Sequence, residues 1–284
     1  MLTIAIQKSG RLNQQSVQLL KDCGISFSNG DKSKLKTKAT NFPLQIIFLR
    51  DDDIPESVAD FAADIGIVGE NEFIERKKDL SIAKRLGYAK CRLSIAVPKQ
   101  LDYASISDLS GKSIATSYPS ILTDYLEKQG VDAEIHQING SVEIAPGIGM
   151  ADAIMDIVST GSTLLSNGLK EVETIMTSEA VLIANPNLDK EKQNILEKLL
   201  FRIQAVLQAG NTKYILLNAP NDKIDEICNI LPGMKSPTIM PLLEEGWSSL
   251  HSVIAEDDFW ERIEQLKAAG AQGILVFPIE KMVL

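Results

Sequence analysis

Apolar residues in this chain come in short blocks, and the stretches between them carry a helical period. Residues 2–6, LTIAI, predict a buried strand. The next stretch, GRLNQQSVQLLKDCG, spaces Leu12, Val17, Leu19, Leu20 and Cys23 along a helix and closes on Gly24, a residue suited to helix termination. LQIIFL (44–49) and DIGIVG (64–69) are further strands, with a helix starting at DDDIPESVADFAA between them. There Asp53 is the expected N-cap, and Pro55 lies in the first turn, where a missing N–H costs little. Strand, helix, strand, helix, strand is an α/β pattern with parallel pairing expected.

A second series begins at CRLSIAVP (91–98) and continues through strand KSIATS (112–117), helix PSILTDYLEKQG (119–130), strand AEIHQI (133–138) and strand AIMDIV (153–158). VETIMTSEAVLIAN (172–185) is rich in strand formers. Segments 90–97 and 178–184 are the candidates for two strands crossing between a first lobe and a lobe inserted into it. A long helix, 189–210, follows, with Ile195, Leu199, Leu200, Ile203, Val206 and Leu207 as its apolar positions. After it the order changes to βαββαβ, a ferredoxin-like arrangement able to form a separate small α+β domain.

Composition narrows the functional classes. The 284 residues suffice for two or three domains. A net charge of −9 opposes a surface built for nucleic acid, yet leaves room for small anions held by backbone amides and a few cations. No apolar run approaches the roughly 18 residues of a membrane span, and the start MLTIAIQKSGRL has no signal-peptide pattern. The three scattered cysteines read as reduced, so a cytoplasmic location is expected. Two histidines, His136 and His251, with no CxxC or HExxH, make a zinc site or a serine-histidine triad a poor fit.

The richest stretch is ADAIMDIVSTGST, residues 151–163, which turns from apolar to four hydroxyls around one glycine. Asp152 precedes the strand and Asp156 lies within it, a spacing that puts both on one face. Ionised carboxylates accept hydrogen bonds, as the 2′- and 3′-hydroxyls of a ribose require. Ser159, Thr160, Gly161, Ser162 and Thr163 offer hydroxyls and backbone N–H groups at a helix start, where an anion is favoured. The competing reading is an ordinary capped turn. Lys8 and Arg11 stand on the loop after the first strand, where α/β folds place ligands, or are two solvated charges. Arg50 and Glu70 occupy equivalent strand ends and are placed to face a cleft. Asp51, Asp52 and Asp53 cannot all face one Mg2+, which favours the capping role for Asp53. Tyr118 either stacks on a base or packs in the core.

Together the stretches IAIQKSGRL, RDDDIP, DIGIVGEN, CRLSIAVP, IATSYP, NGSVEIAP, ADAIMDIVSTGSTL, GMKSPTIMPL and ILVFPIEKM resemble the long form of the ATP phosphoribosyltransferase family. The resemblance runs over essentially the whole chain and is most specific from Glu143 to Leu164. It implies an α/β fold with two periplasmic-binding-protein-like catalytic lobes, residues 1–94 with 179–210 and residues 95–178. It adds a C-terminal ferredoxin-like (ACT-like) regulatory domain at 211–284. The implied activity is transfer of a phosphoribosyl group from 5-phosphoribosyl 1-pyrophosphate to N1 of ATP, releasing pyrophosphate, as the first step of histidine biosynthesis. Mg2+, inhibition by histidine, and dimeric and hexameric assemblies come with it.

Carried over position by position, Asp152 and Asp156 face the ribose and Ser159–Thr163 the 5-phosphate. Lys8, Arg11 and Arg50 are the catalytic cations, and Glu70 and Tyr118 contact substrate. The resemblance names no metal ligands. In the tail, Asn218 and Thr238 offer short polar groups at a strand end and a strand start for a histidine site; a local turn is the alternative for Asn218. The poverty of histidines suits this chemistry. N1 of adenine already carries a lone pair, so the attack needs no general base, and stabilising the cation-like sugar and the departing pyrophosphate is the main task. Two other classes compete: a two-lobed solute-binding module, and a regulator with a ligand-sensing tail.

Overall fold

Strands that are apolar at successive positions need cover on both faces, and three of them open the chain. β1 (Leu2–Gln7), β3 (Leu44–Leu49) and β4 (Ile65–Gly69) pair in parallel with β1 in the middle. Helices α1 (Gly10–Asp22), α2 (Ile54–Ala59) and α3 (Glu70–Arg76) follow these three strands in turn. β2 (Lys36–Lys38) pairs antiparallel with β3, and β11 (Ala180–Ala184) lies antiparallel between β4 and β5 (Ser81–Arg85), which completes a six-stranded sheet of order β2-β3-β1-β4-β11-β5. This computed structural model describes residues 1–28, 35–231 and 236–283, so the part of GMKSPTIMPL at 233–235 lies outside it.

The second lobe has a five-stranded sheet, β10-β6-β9-β7-β8. Its strands are β6 (Cys91–Pro98), β7 (Ser113–Thr116), β8 (Glu134–Gln137), β9 (Ala153–Val158) and β10 (Leu169–Ser178), with α4 (Pro119–Gln129) after β7 and α5 (Ser162–Ser166) after β9. β9 feeds two cores by alternation. Ala153 and Met155 join Ile121 and Leu122 on one face, and Ile154 and Val158 join Val142 and Leu164 on the other. β7, β8 and β9 are parallel as expected, whereas β6 is antiparallel to β9 on one side and to β10 on the other, as it carries the chain into the lobe and β10 carries it out. β6 lies wholly in this sheet from Cys91 onward, so the first crossing falls before it rather than at residue 94.

The described chain forms two compact units, Met1–Glu197 and Lys198–Leu284, and their boundary falls inside α6 (Lys190–Gly210) rather than after it. In the second unit, β12 (Thr212–Pro220), α7 (Ile224–Ile230), β13 (Thr238–Pro241), β14 (Trp247–Ala255), α8 (Glu256–Ala268) and β15 (Gln272–Pro278) make the βαββαβ pattern. The antiparallel sheet has order β13-β14-β12-β15. Ile215, Leu217, Leu250 and Ile254 pack with Ile227 of α7 and Leu266 of α8 on one face.

Asp53 does not cap α2. It has helical dihedrals (φ −89°, ψ −16°) inside a 3-10 turn at Asp51–Asp53 and makes no side-chain cap bond, whereas a capping residue needs an extended backbone.

Candidate active site

The carboxyl ends of β1, β4, β7 and β9 converge on one cleft of about 360 Å³. Gln7 lines it from the end of β1, Gly10, Arg11 and Leu12 from the first turn of α1, and Asp51 from the turn after β3. Gly69 contributes from the end of β4, Asn71 and Glu72 from the start of α3, Ala89 and Lys90 from the crossing, and Cys91, Tyr118, Ile157 and Ser159 from the second lobe. This is where an open α/β sheet offers helix starts and loops to a ligand. Gly69 leaves room for the Asn71 side chain, since a Cβ there would stand 2.5 Å from Asn71 Oδ1. Asn71 is held in turn by Ser178: the Ser178 hydroxyl donates to Asn71 Oδ1 (2.8 Å) and accepts from the Asn71 N–H (3.1 Å).

The loop after β9 begins at Ser159 and turns at Gly161, whose φ of +81° is a left-handed conformation that suits glycine. The Thr160 and Ser162 hydroxyls are 3.1 Å apart, and Ser162 opens α5. Arg92 of β6 grips Glu171 of β10 with Nε and a terminal nitrogen (2.5 and 2.6 Å) and donates its third contact to the Ser159 carbonyl (3.2 Å). Asp156, three residues before that loop, is largely buried. Burial raises its carboxyl to about 6, Glu143 nearby adds to the rise, and the Ile157 N–H (2.7 Å) offsets part of it.

A family model described as ATP phosphoribosyltransferase matches residues 50–205, and one described as HisG, C-terminal domain, matches residues 209–281. Proteins named ATP phosphoribosyltransferase from Phocaeicola vulgatus and Cytophaga hutchinsonii are 58% and 60% identical to this chain. They cover 100% and 99% of it, and 100% and 98% of their own lengths are matched. The chain belongs to the ATP phosphoribosyltransferase family. Among solved structures, an ATP phosphoribosyl transferase (HisG:HisZ) complex from Thermotoga maritima is 29% identical, with a TM-score of 0.62 over 72% of this chain and 99% of that one. A substrate binding protein of an amino acid ABC transporter, 14% identical, aligns over 74% of this chain and 94% of its own with a TM-score of 0.50, a likeness of fold alone. Membership in the ATP phosphoribosyltransferase family makes the chain a transferase and sets aside the reading as a solute-binding module.

Within this ATP phosphoribosyltransferase fold, the structure sorts the residues picked from sequence. Arg11, Tyr118 and Ser159 line the cleft. Lys8 is exposed on the short loop between β1 and α1, with its backbone N–H on the Leu49 carbonyl (2.7 Å). Three residues depart from the expectation. Glu70 is buried and paired through both carboxylate oxygens with Arg85, so it is spent within the first lobe while its neighbours Asn71 and Glu72 reach the cleft. Arg50, with 77% of its side chain exposed, is paired with Asp52 (3.1 Å) and is absent from the lining. Asp152 accepts from the Ser113 N–H and hydroxyl (2.8 and 3.0 Å), which pins the start of β9 to the start of β7. These bonds hold its carboxyl below the usual range. Although Asp152 and Asp156 share a face, Asp152 stands at the far end of the strand, roughly 20 Å of chain from the phosphate-loop candidate at about 3.3 Å per residue.

Sequence reasoning passed over α3, and α3 joins the lobes. α4 has no side-chain cap of its own; Glu75 of α3 supplies one, its two oxygens accepting from the Ser120 and Ile121 N–H groups at 2.9 and 3.0 Å. Lys77 reaches Asp124 at 2.7 Å. Glu72 stands between Asp51 and Tyr118, with Arg76 Nε 3.7 Å away, and its buried Oε2 makes no hydrogen bond. Burial, then Asp51, pushes this carboxyl up to about 7; burial likewise raises the Tyr118 phenol, with Glu72 and Asp156 adding to it. A raised carboxyl favours the protonated folded state. Its stabilising effect is therefore complete below the ordinary glutamate range and lost as pH rises through about 7. Glu72→Gln cannot ionise, so at pH 8 it is expected to be more stable than the parent by about 3 kcal/mol, with little difference at pH 4.5. Denaturant titrations at the two pH values check this, and equal effects at both would remove the buried-carboxylate account.

On the C-terminal sheet, Asn218 and Thr238 share the face opposite α7 and α8. Asn218 pairs with Ser249 and Thr238 with His251, which places them two strands apart. β12 continues to Pro220, so Asn218 lies inside the strand rather than at its end. Between them, His251 Nδ1 is 2.7 Å from the Tyr214 hydroxyl and Nε2 is 3.2 Å from the Ser249 hydroxyl.

Proposed function

We propose that this cleft joins ATP to 5-phosphoribosyl 1-pyrophosphate, giving N1-(5-phosphoribosyl)-ATP and pyrophosphate, the first step of histidine biosynthesis. The observation that carries the reading is the hydroxyl-rich loop of residues 159–163, which opens at the carboxyl end of β9 onto the cleft that Arg11 and Tyr118 line. Ser159, Thr160, Gly161, Ser162 and Thr163 receive the 5-phosphate through N–H and hydroxyl groups. Asp156, with Glu143 beside it, faces the ribose and stabilises positive charge developing at C1′. Arg11 neutralises phosphate within the cleft, and the exposed Lys8 and Arg50 add positive charge at its approaches. The buried Tyr118 ring forms the wall for adenine, whose N1 lone pair attacks C1′ without a general base.

Mg2+ is part of this proposal. Among the described residues no three His, Cys, Asp or Glu side chains converge as a metal cage. Mg2+ is usually held by one or two carboxylates together with substrate phosphates, and Asp51 and Glu72 in the lining, with Asp156 near Tyr118, are the carboxylates that would hold it. When bound, the ion would neutralise charge on the departing pyrophosphate.

Pyrophosphate release by the full chain tests the reading: release requiring ATP, 5-phosphoribosyl 1-pyrophosphate and Mg2+ together is expected, and none with all three present overturns it. The C-terminal unit is proposed to bind free histidine and slow the enzyme, within an assembly that is a dimer when active and a hexamer when inhibited, in the cytoplasm. The polar face holding Asn218, Ser249, His251 and Thr238 supports that site. Asn218→Ala and Thr238→Ala are expected to raise the histidine concentration for half-inhibition by roughly tenfold, the loss of one hydrogen bond to a charged amino acid, while the uninhibited rate stays level. Inhibition curves that superimpose on the parent's would move the histidine site elsewhere.

A further inference from the structure

We propose that Arg92 is a positioning residue for the 159–163 loop, setting the peptide that presents the Thr160 N–H to the substrate phosphate; this rests on the phosphate-loop reading above. Arg92 is opposite Val158, the last residue of β9, in the antiparallel β6–β9 pair. Ser159 is thus the first residue beyond the ladder, and Arg92 takes up its carbonyl at 3.2 Å. In a planar trans peptide the carbonyl and the following N–H point in opposite directions. Drawing the Ser159 carbonyl toward the guanidinium therefore turns the Thr160 N–H the other way, ahead of the left-handed Gly161.

The guanidinium is itself fixed. Two of its nitrogens hold Glu171 at 2.5 and 2.6 Å, so its plane is set by a bidentate pair and the remaining nitrogen can address only a narrow sector. Arg92 holds the Glu171 carboxylate below the usual range, and side-chain bonds from Ser94 and Thr174 add to this. A chain of contacts thus runs from β10 through Glu171 and Arg92 to the loop. Arg92 does not line the cleft, so it acts through the loop and not on the substrate. Lysine cannot replace it, because an ammonium lacks the fork that serves two partners in fixed directions.

The test uses the full chain with Arg92→Lys and Glu171→Gln, varying each substrate at saturating levels of the other. Arg92→Lys is expected to raise the KM for 5-phosphoribosyl 1-pyrophosphate by about tenfold, the loss of one charge-assisted contact, with the KM for ATP unchanged. Glu171→Gln should shift the same constant in the same direction by less. An unchanged KM for 5-phosphoribosyl 1-pyrophosphate, or both constants rising together, overturns the proposal; if Arg92→Lys does not fold, Glu171→Gln decides by the same criterion. A second readout separates the two layers of the reading. In NMR titrations with inorganic phosphate, the Thr160 amide signal should move in the parent and stay put in Arg92→Lys. If it stays put in the parent, the phosphate-loop assignment fails and Arg92 with it. If it moves equally in both, the loop stands and the role of Arg92 is refuted.

Discussion

Asp156→Asn is expected to lose roughly a hundredfold in turnover, the scale of removing one group that stabilises transition-state charge, while becoming more resistant to unfolding at pH 8. Both effects come from one carboxylate. Burial raises Asp156 to about 6, so the folded protein ionises it at neutral pH only at a cost in stability. The folded state binds this proton more tightly than the unfolded chain. Stability is therefore fullest below the ordinary aspartate range and falls as pH rises through about 6. Asparagine is free of that loss, a gain of about 2 kcal/mol after allowing for partial solvent screening. The same titration predicts that the parent's turnover declines below pH 6, as the charge that faces the sugar is neutralised. Rates and unfolding midpoints measured from pH 5 to 8 on both proteins check the pair of effects. A variant as active as the parent makes Asp156 a structural residue.

Thr160→Ala and Thr163→Ala should each weaken 5-phosphoribosyl 1-pyrophosphate binding about ten- to a hundredfold, the equivalent of roughly 1.5–3 kcal/mol for a hydrogen bond to a charged group. ATP binding should hold level. Thr160 is the more informative position. Its hydroxyl already pairs with that of Ser162, so its loss also frees the second hydroxyl. Thr163 lies in the first turn of α5 and its carbonyl accepts from Asn167, a bond that alanine retains. Calorimetric titration of each ligand against each variant separates the loop from the rest of the cleft, and isotherms identical to the parent's would take the loop out of the site.

The strands were legible because burial on one or both faces writes itself into the period of apolar residues: LQIIFL, CRLSIAVP, AIMDIV and WSSLHSVIA have the observed limits of β3, β6, β9 and β14. α3 was not legible. ENEFIER offers only two large apolar residues, and its Glu75, with Lys77 just beyond it, meets partners that are remote in sequence. The loop after β9 stood out because a run of small hydroxylated residues after an apolar strand is a local pattern. The contrast between Asp152 and Asp156 did not, since spacing gives the face of a strand and only the pairing with Ser113 shows which end is tied down. Glu70 was preferred to Glu72 for a similar reason: its claim by Arg85 depends on where β5 comes to lie. Arg92 is separated by 79 residues from the carboxylate that orients it, a distance no periodicity spans.

The cap that α3 places on α4 makes two amides into a clock for the hinge. Ser120 and Ile121 donate to one carboxylate that belongs to the opposite lobe, so any parting of the lobes exposes both amides to water at the same instant. Their exchange with deuterium therefore counts openings of the cleft, while amides deeper in α4, bonded within the helix, count only its unwinding. Divided by the intrinsic rate of an unprotected amide, the exchange rate of Ser120 and Ile121 gives the fraction of time the cleft stands open in the resting protein, and its change on adding either substrate tells which of them holds the lobes together.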